Sequence, residues 1–297
     1  MPDAPATVLL TGASGFVGQR LAPVLVEAGH VVRAMTRKPE DYAGPGDPVF
    51  ADVTDPDSLE TALEGVDVAI YLVHSLDRAD FEERDAAAAR SFGEAAARNG
   101  VRQIVYLGGL GAEDEDLSAH LRSRREVESL LGQAGVPVTA LRAAIVIGEG
   151  GISWELTRQL VKRLPAMVVP RWVTTRTQPI AIDDVVRYLA GVVDHEDAIG
   201  RVFEVGGPDE LTYLDMLRIL ARVQGRPLPI VPVPFLTPRL SSYWLALVTD
   251  VNVMTGRNLI DSMGTEVVVT DHSIRDVVPG EPLTYEQAIR RALAEDE

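Results

Sequence analysis

The chain has no cysteine, which excludes disulfides, thiolate nucleophiles and Cys-ligated zinc or iron–sulfur centres. Basic residues are scarce beside acidic ones: 28 Lys and Arg against 44 Asp and Glu leave a net charge of −16. No nucleic-acid partner is expected, because neutralising phosphates takes clustered Lys and Arg. A local cationic site for a small anionic ligand remains compatible with that balance. No apolar run approaches the roughly 18 residues that cross a membrane, so no membrane span is expected. The start, Met1-Pro2-Asp3, lacks the basic residues and long apolar core of a secretory signal, and a cytoplasmic location is expected. Even the aromatics are few, and all three tryptophans (Trp154, Trp172, Trp244) fall in the second half.

What is present is a regular alternation. Short apolar runs at 7–10, 31–35, 68–72, 103–107 and 138–142 read as strands buried on both faces. Between them, residues 18–28, 58–63 (with Asp57 or Ser58 as cap), 80–99 and 123–133 read as helices. The repeated order predicts an α/β fold: a Rossmann-type doubly wound parallel sheet with a smaller C-terminal substrate region. After about Gly148 the rhythm changes, although 178–193 reads as a strand end and helix and 202–205 as one more strand. The expected division is therefore 1–147 plus about 178–206 for the dinucleotide-binding part. About 148–177 and 207–297 form the substrate or lid region. The acidic run Glu113-Asp114-Glu115-Asp116 reads as a solvated loop.

The strongest motif is Thr11-Gly12-Ala13-Ser14-Gly15-Phe16-Val17-Gly18, between a predicted strand and a predicted helix. Gly12 permits the tight turn, Gly15 lets backbone approach a pyrophosphate, and Gly18 is expected to let the helix pack on the sheet. The free N–H groups of that helix start favour an anion. A nicotinamide dinucleotide is the expected cofactor.

At the end of the second strand an NAD site usually places an acid for the ribose hydroxyls. Arg37 and Lys38 stand there instead. Arg37 suits a 2′-phosphate while stacking on adenine, which favours NADP over NAD. Asp52 and Val53 follow the third strand; Asp52 either meets the adenine amino group or caps the next turn. Leu72, Val73 and His74 end the fourth strand, and Leu107, Gly108 and Gly109 the fifth. Those positions should line the riboses, because ligands lie across the carboxyl ends of such sheets. His74 is either a titratable site group or a histidine satisfied by neighbouring backbone.

Thr11 to Gly18, Gly29-His30 and Asp52-Val-Thr-Asp55 resemble the short-chain dehydrogenase/reductase superfamily. The resemblance is to its atypical, extended branch, near NmrA-like and isoflavone-reductase-like proteins and uncharacterised bacterial NAD(P)H-binding proteins. Tyr71-Leu-Val-His-Ser-Leu76, His120-Leu-Arg-Ser-Arg124, Pro170-Arg-Trp172, Thr177-Gln-Pro-Ile-Ala181, Gly206-Gly-Pro208 and Leu211-Thr212 carry it across nearly the whole chain. The superfamily's usual site has a Tyr-x-x-x-Lys pair on the helix after the fifth strand and a Ser at that strand's end. Here those positions read His120-Leu-Arg-Ser-Arg124 and Gly108-Gly109. The resemblance implies that Arg124 takes the ribose-anchoring place of the lysine, and that His120 is the available acid, or else a surface residue at the helix start.

The leading expectation is an NADPH-dependent oxidoreductase for a small hydrophobic carbonyl, enone or quinone-like acceptor that needs little protein-supplied acid. The tryptophans and the apolar stretch 235–254 supply either a pocket or simply core. The alternatives are a non-catalytic NADP(H)-binding redox sensor or assembly partner, and an isomerase using its cofactor transiently. A monomer or homodimer is expected.

Overall fold

The computed structural model describes residues 5–295 apart from 76, 77, 79, 112–116, 233–255 and 257–260. The elements of the first half are β1 (Thr7–Leu10), α1 (Gly18–Glu27), β2 (Val31–Thr36), β3 (Asp47–Phe50), α2 (Pro56–Leu63), β4 (Val68–Tyr71), α3 (Phe81–Arg98), β5 (Gln103–Gly109), α4 (Ala119–Gly132) and β6 (Val138–Ala143). There follow β7 (Val146–Ile147), α5 (Ile152–Arg163), β8 (Met167–Val169), β9 (Arg176–Thr177), β10 (Ile180–Ala181), α6 (Ile182–Gly191), β11 (Val202–Val205), β12 (Leu211–Thr212), α7 (Tyr213–Val223), β13 (Ile230–Pro232) and a terminal helix, Tyr285–Glu295.

Seven strands form one sheet in the order β11-β6-β5-β4-β1-β2-β3, and every neighbouring pair is parallel. The chain winds outward from β1 to β3, then restarts at β4 on β1's other side. The switch between β1 and β4 opens a crevice at the strands' carboxyl ends, where such sheets take ligands. Consecutive strand residues point to opposite faces. Leu10 and Ile70 therefore join one core with Leu21 and Leu25 of α1 and Val185 and Leu189 of α6. Leu9 and Tyr71 join the other, with Leu59, Phe92, Tyr106 and Leu131. Both faces being covered explains the unbroken apolar runs.

A further core gathers Trp154, Leu156 and Val161 of α5, Leu214, Leu217 and Leu220 of α7, and Tyr285 and Ile289 of the terminal helix. Trp154 is core rather than pocket wall. The side chain of Trp172, all of Trp244, the acidic run 113–116 and the stretch 235–254 lie outside the described residues. Among the described residues no helix is long and apolar enough to cross a membrane.

Two helix starts differ from the sequence expectation. α2 begins at Pro56, with Asp55 accepting from the Asp57 amide; neither Asp57 nor Ser58 is the cap. Proline at the first helical position needs no amide partner and brings its own φ, so the helix starts one residue after Asp55. α4 begins at Ala119 rather than 123, because the Ser118 hydroxyl accepts from the Leu121 amide. That extra turn puts His120 on the helix and, at i and i+4, on the same side as Arg124.

Candidate functional site

The glycine loop is pinned to the end of β4. The Thr11 amide donates to the Ile70 carbonyl (3.0 Å), and the Thr11 hydroxyl accepts from the Leu72 amide (2.9 Å). Gly12 then turns with φ +63°, a left-handed conformation in which a side chain is strained. The Gly15 amide closes the turn on the Gly12 carbonyl at 2.9 Å. A Cβ at Gly18 would stand 2.2 Å from that carbonyl oxygen and 2.8 Å from the Ala13 Cα. The close approach Gly18 permits is thus of helix start on its own loop, not of helix on sheet as expected.

Two features decide whether a dinucleotide suits this loop. Among the described residues the amides of Ala13, Ser14, Phe16 and Val17 have no hydrogen-bond partner, and α1 carries no acid in its first turn. A Cβ at Gly15 would touch only the Gly12 carbonyl, at 3.2 Å, so its other side is open. Unpaired amides, a positive helix end and a bare backbone fit a pyrophosphate.

At the rim, Arg37 and Lys38 are exposed. Lys38 is 3.5 Å from Asp41, whereas no carboxylate comes within ion-pair distance of Arg37 among the described residues. Asp52 accepts from the Thr54 amide at 2.8 Å and hydroxyl at 2.7 Å. These bonds, with a smaller pull from Arg37, hold its carboxyl below the usual range. Of the two sequence readings for Asp52, the local turn is the one its Oδ1 serves.

Leu72, His74, Leu107, Gly108, Gly109, His120 and Arg124 meet Gly12, Gly15, Phe16 and Val17 around one cleft of about 480 Å³. Other sequence candidates point elsewhere: Ala13 is fully buried in one sheet-face core, and Val53 and Val73 pack against the opposite one. The far wall comes from residues the sequence did not single out, chiefly Ile145, Ile152, Tyr213, Ser262, Met263 and Val267. Only Tyr213 had a local cue. Thr212 and Asp215 form a capping box, which fixes Tyr213 in the first turn of α7 without saying what it faces. Ser262 is tied to the other wall, its hydroxyl 2.9 Å from that of Ser118. Glycine at the end of β5 draws α4 inward, since a Cβ at Gly109 would lie 2.9 Å from Leu121 Cδ2 and 3.6 Å from Arg124 Cγ.

Arg124 is the only charged side chain among the described residues lining this cleft. Its field, then the surrounding protein, then His120 hold the His74 pKa down to about 3. Desolvation first, then Arg124, does the same to His120. Both imidazoles are therefore neutral at pH 7, and His120 is a hydrogen-bonding group there rather than an imidazolium. Burial pushes the Tyr213 hydroxyl up, keeping it protonated.

The histidines predict an acid-sensitive fold. In the unfolded chain each binds a proton below about pH 6.5, while in the folded chain it does not until about pH 3. Between those limits the unfolded state holds more protons, so stability is complete above pH 6.5 and is lost as pH falls towards 3. The melting temperature of a His74→Asn/His120→Asn double variant should fall less than that of the wild type between pH 7.5 and 5.0. An equal fall in both would place the acid sensitivity elsewhere.

Comparison with known proteins agrees with this geometry. Residues 12–173 match the family model described as NAD(P)H-binding. The (4-alkanoyl-5-oxo-2,5-dihydrofuran-3-yl)methyl phosphate reductase of Streptomyces griseus is 35% identical over 233 residues, 74% of this chain and 75% of that protein. An uncharacterised protein of Mycobacterium tuberculosis is 28% identical over 259 residues, 86% of this chain. This chain spans only 28% of that longer protein's length. The Citrobacter triphenylmethane reductase complexed with NADP(H) superposes with a TM-score of 0.77 at 16% identity, covering 96% of this chain and 99% of that one. The chain belongs to the NAD(P)H-binding family.

Proposed function

We propose that this protein is an NADPH-dependent reductase of an apolar conjugated carbonyl compound: an enone, a quinone or an unsaturated lactone. The observation that carries the reading is the cleft itself. It runs from the unpaired amides of the glycine loop to a mostly apolar far wall, and Arg124 is its one charged described side chain. The Streptomyces griseus relative, named as the reductase of an unsaturated lactone phosphate, supports the acceptor class.

In this reading residues 12–17 hold the pyrophosphate, and Arg37 with Lys38 meets the 2′-phosphate. Leu72, Leu107, Gly108 and Gly109 shape the ribose side. The bound reduced nicotinamide supplies a hydride. Ile145, Ile152, Met263 and Val267 keep water from the acceptor, which strengthens every electrostatic contact inside. Hydride addition to a conjugated carbonyl leaves negative charge on its oxygen. Arg124 and the N–H groups of the neutral histidines stabilise that charge without a tyrosine having to deliver a proton in the same step.

The test is NADPH oxidation with a panel of quinones, enones and butenolides. We expect turnover on at least one acceptor and a fall of about a hundredfold in kcat/KM for Arg124→Ala, the size seen when one charge-stabilising donor is lost. Tight NADPH binding without turnover on any acceptor would overturn the enzyme reading and leave a redox-sensing protein.

A further inference from the structure

We infer that the acceptor carries a permanent anion, a phosphate or carboxylate, which docks on Arg124 in the inner part of the cleft. This rests on the reductase reading and narrows its substrate class.

Three observations on the molecule lead there. First, Arg124 is half-buried in an otherwise mostly apolar cleft, and among the described residues no carboxylate lies within ion-pair distance of it. Other arginines on the same helix are engaged: Arg125 donates to the Gly111 carbonyl, and Arg122 to the Leu117 carbonyl at 2.6 Å. A cation taken partly from water without a counter-ion is costly, and an incoming anion removes that cost. Second, the acids around it in the fold are engaged elsewhere. Glu128, one turn on along α4, pairs with Arg142 at 2.7 Å. Asp85 of α3 is buried, with its carboxylate accepting from the Ser75 amide at 3.4 Å; burial raises its proton affinity against the smaller pull of Arg124. Third, the Arg124 charge is felt by both histidines that share the cleft, so its field reaches into the space a ligand would occupy.

The planar guanidinium carries five N–H donors, so one edge can take the two oxygens of a carboxylate or phosphate while a remaining N–H faces the carbonyl oxygen. His74 and His120, neutral and lining the same cleft, add N–H donors without competing for the anion's charge. The same field disfavours cationic acceptors.

The probes are phenyl phosphate and benzoate, with benzyl alcohol as the neutral and phenyltrimethylammonium as the cationic control. Each is titrated by calorimetry into the protein with and without saturating NADPH, and NADPH affinity is measured separately. We expect at least one anion to bind ten times or more tighter than benzyl alcohol. Arg124→Gln should abolish that preference and leave benzyl alcohol unchanged, with Arg124→Lys retaining part of it. The relative affinity of the two anions then says whether phosphate or carboxylate is the better fit. Anions no tighter than the alcohol, or a cation tighter than either, would overturn the inference. So would an Arg124→Gln variant that loses NADPH as severely as the anions, since the guanidinium would then serve the cofactor ribose. If the wild type binds no NADPH, the reductase reading fails by itself, while the anion preference is still measured on the protein alone.

Discussion

Gly18→Ala is expected to destabilise the fold by about 1–3 kcal/mol, the cost of forcing a methyl into a packed site, and to lower dinucleotide affinity at least tenfold as well. The added carbon would stand 2.2 Å from the Gly12 carbonyl oxygen and 2.8 Å from the Ala13 Cα. Neither neighbour is a side-chain tip that can swing away; both are backbone of the loop. That loop is held by the Thr11 bonds to Ile70 and Leu72. The loop must lift, and with it the four amides that have no internal partner. Gly15→Ala separates the two consequences. Its methyl would meet only the Gly12 carbonyl, at 3.2 Å, so the melting temperature should stay close to wild type. Its other side projects where a pyrophosphate would lie, so dinucleotide affinity should fall about as far as in Gly18→Ala. Thermal denaturation and calorimetry on the two variants check this. A Gly15→Ala protein that binds NADPH normally would show that the cofactor does not rest on this turn.

The contrast between these glycines shows what was legible beforehand. The order of strands and helices could be read because a parallel sheet covered on both faces needs unbroken apolar runs, as in Val68-Ala69-Ile70-Tyr71. The glycine loop could be read because its chemistry is local: turn, bare backbone and helix start lie within eight residues. The near wall followed from the same logic, since Leu107, Gly108 and Gly109 are simply where β5 ends. The far wall could not be read this way. Tyr213, Ser262 and Met263 lie far along the chain from residue 12 and reach the cleft only through tertiary packing. One example is the Ser118–Ser262 hydroxyl pair, for which no spacing rule exists. His120 was legible only as a position aligned with the superfamily's helix; the Ser118 hydroxyl, by accepting from the Leu121 amide, starts α4 a turn earlier than its apolar period shows, and His120 and Arg124 line the same cleft.

Arg37 gives the sharpest test of cofactor choice. Its replacement by alanine should weaken NADPH by about ten- to a hundredfold, matching the roughly 1.5–3 kcal/mol of a hydrogen bond to a charged group. NADH affinity should change by less than about threefold. The asymmetry follows from where the charges are already spent. Lys38 is shared with Asp41 at 3.5 Å, and Asp52 is turned into its own Thr54 bonds. Arg37 is thus the cation at the end of β2 without a fixed carboxylate partner among the described residues, and no free acid at that position favours the unphosphorylated ribose. Being exposed, it contributes little to folding, so Arg37→Ala should melt with the wild type, and any loss of affinity reports recognition rather than stability. Lys38→Ala, already partnered, should cost NADPH less than Arg37→Ala. Equal losses of NADPH and NADH in the Arg37 variant would mean that the side chain stacks on adenine without reading the 2′-phosphate. The preference for NADPH would then have to come from another group.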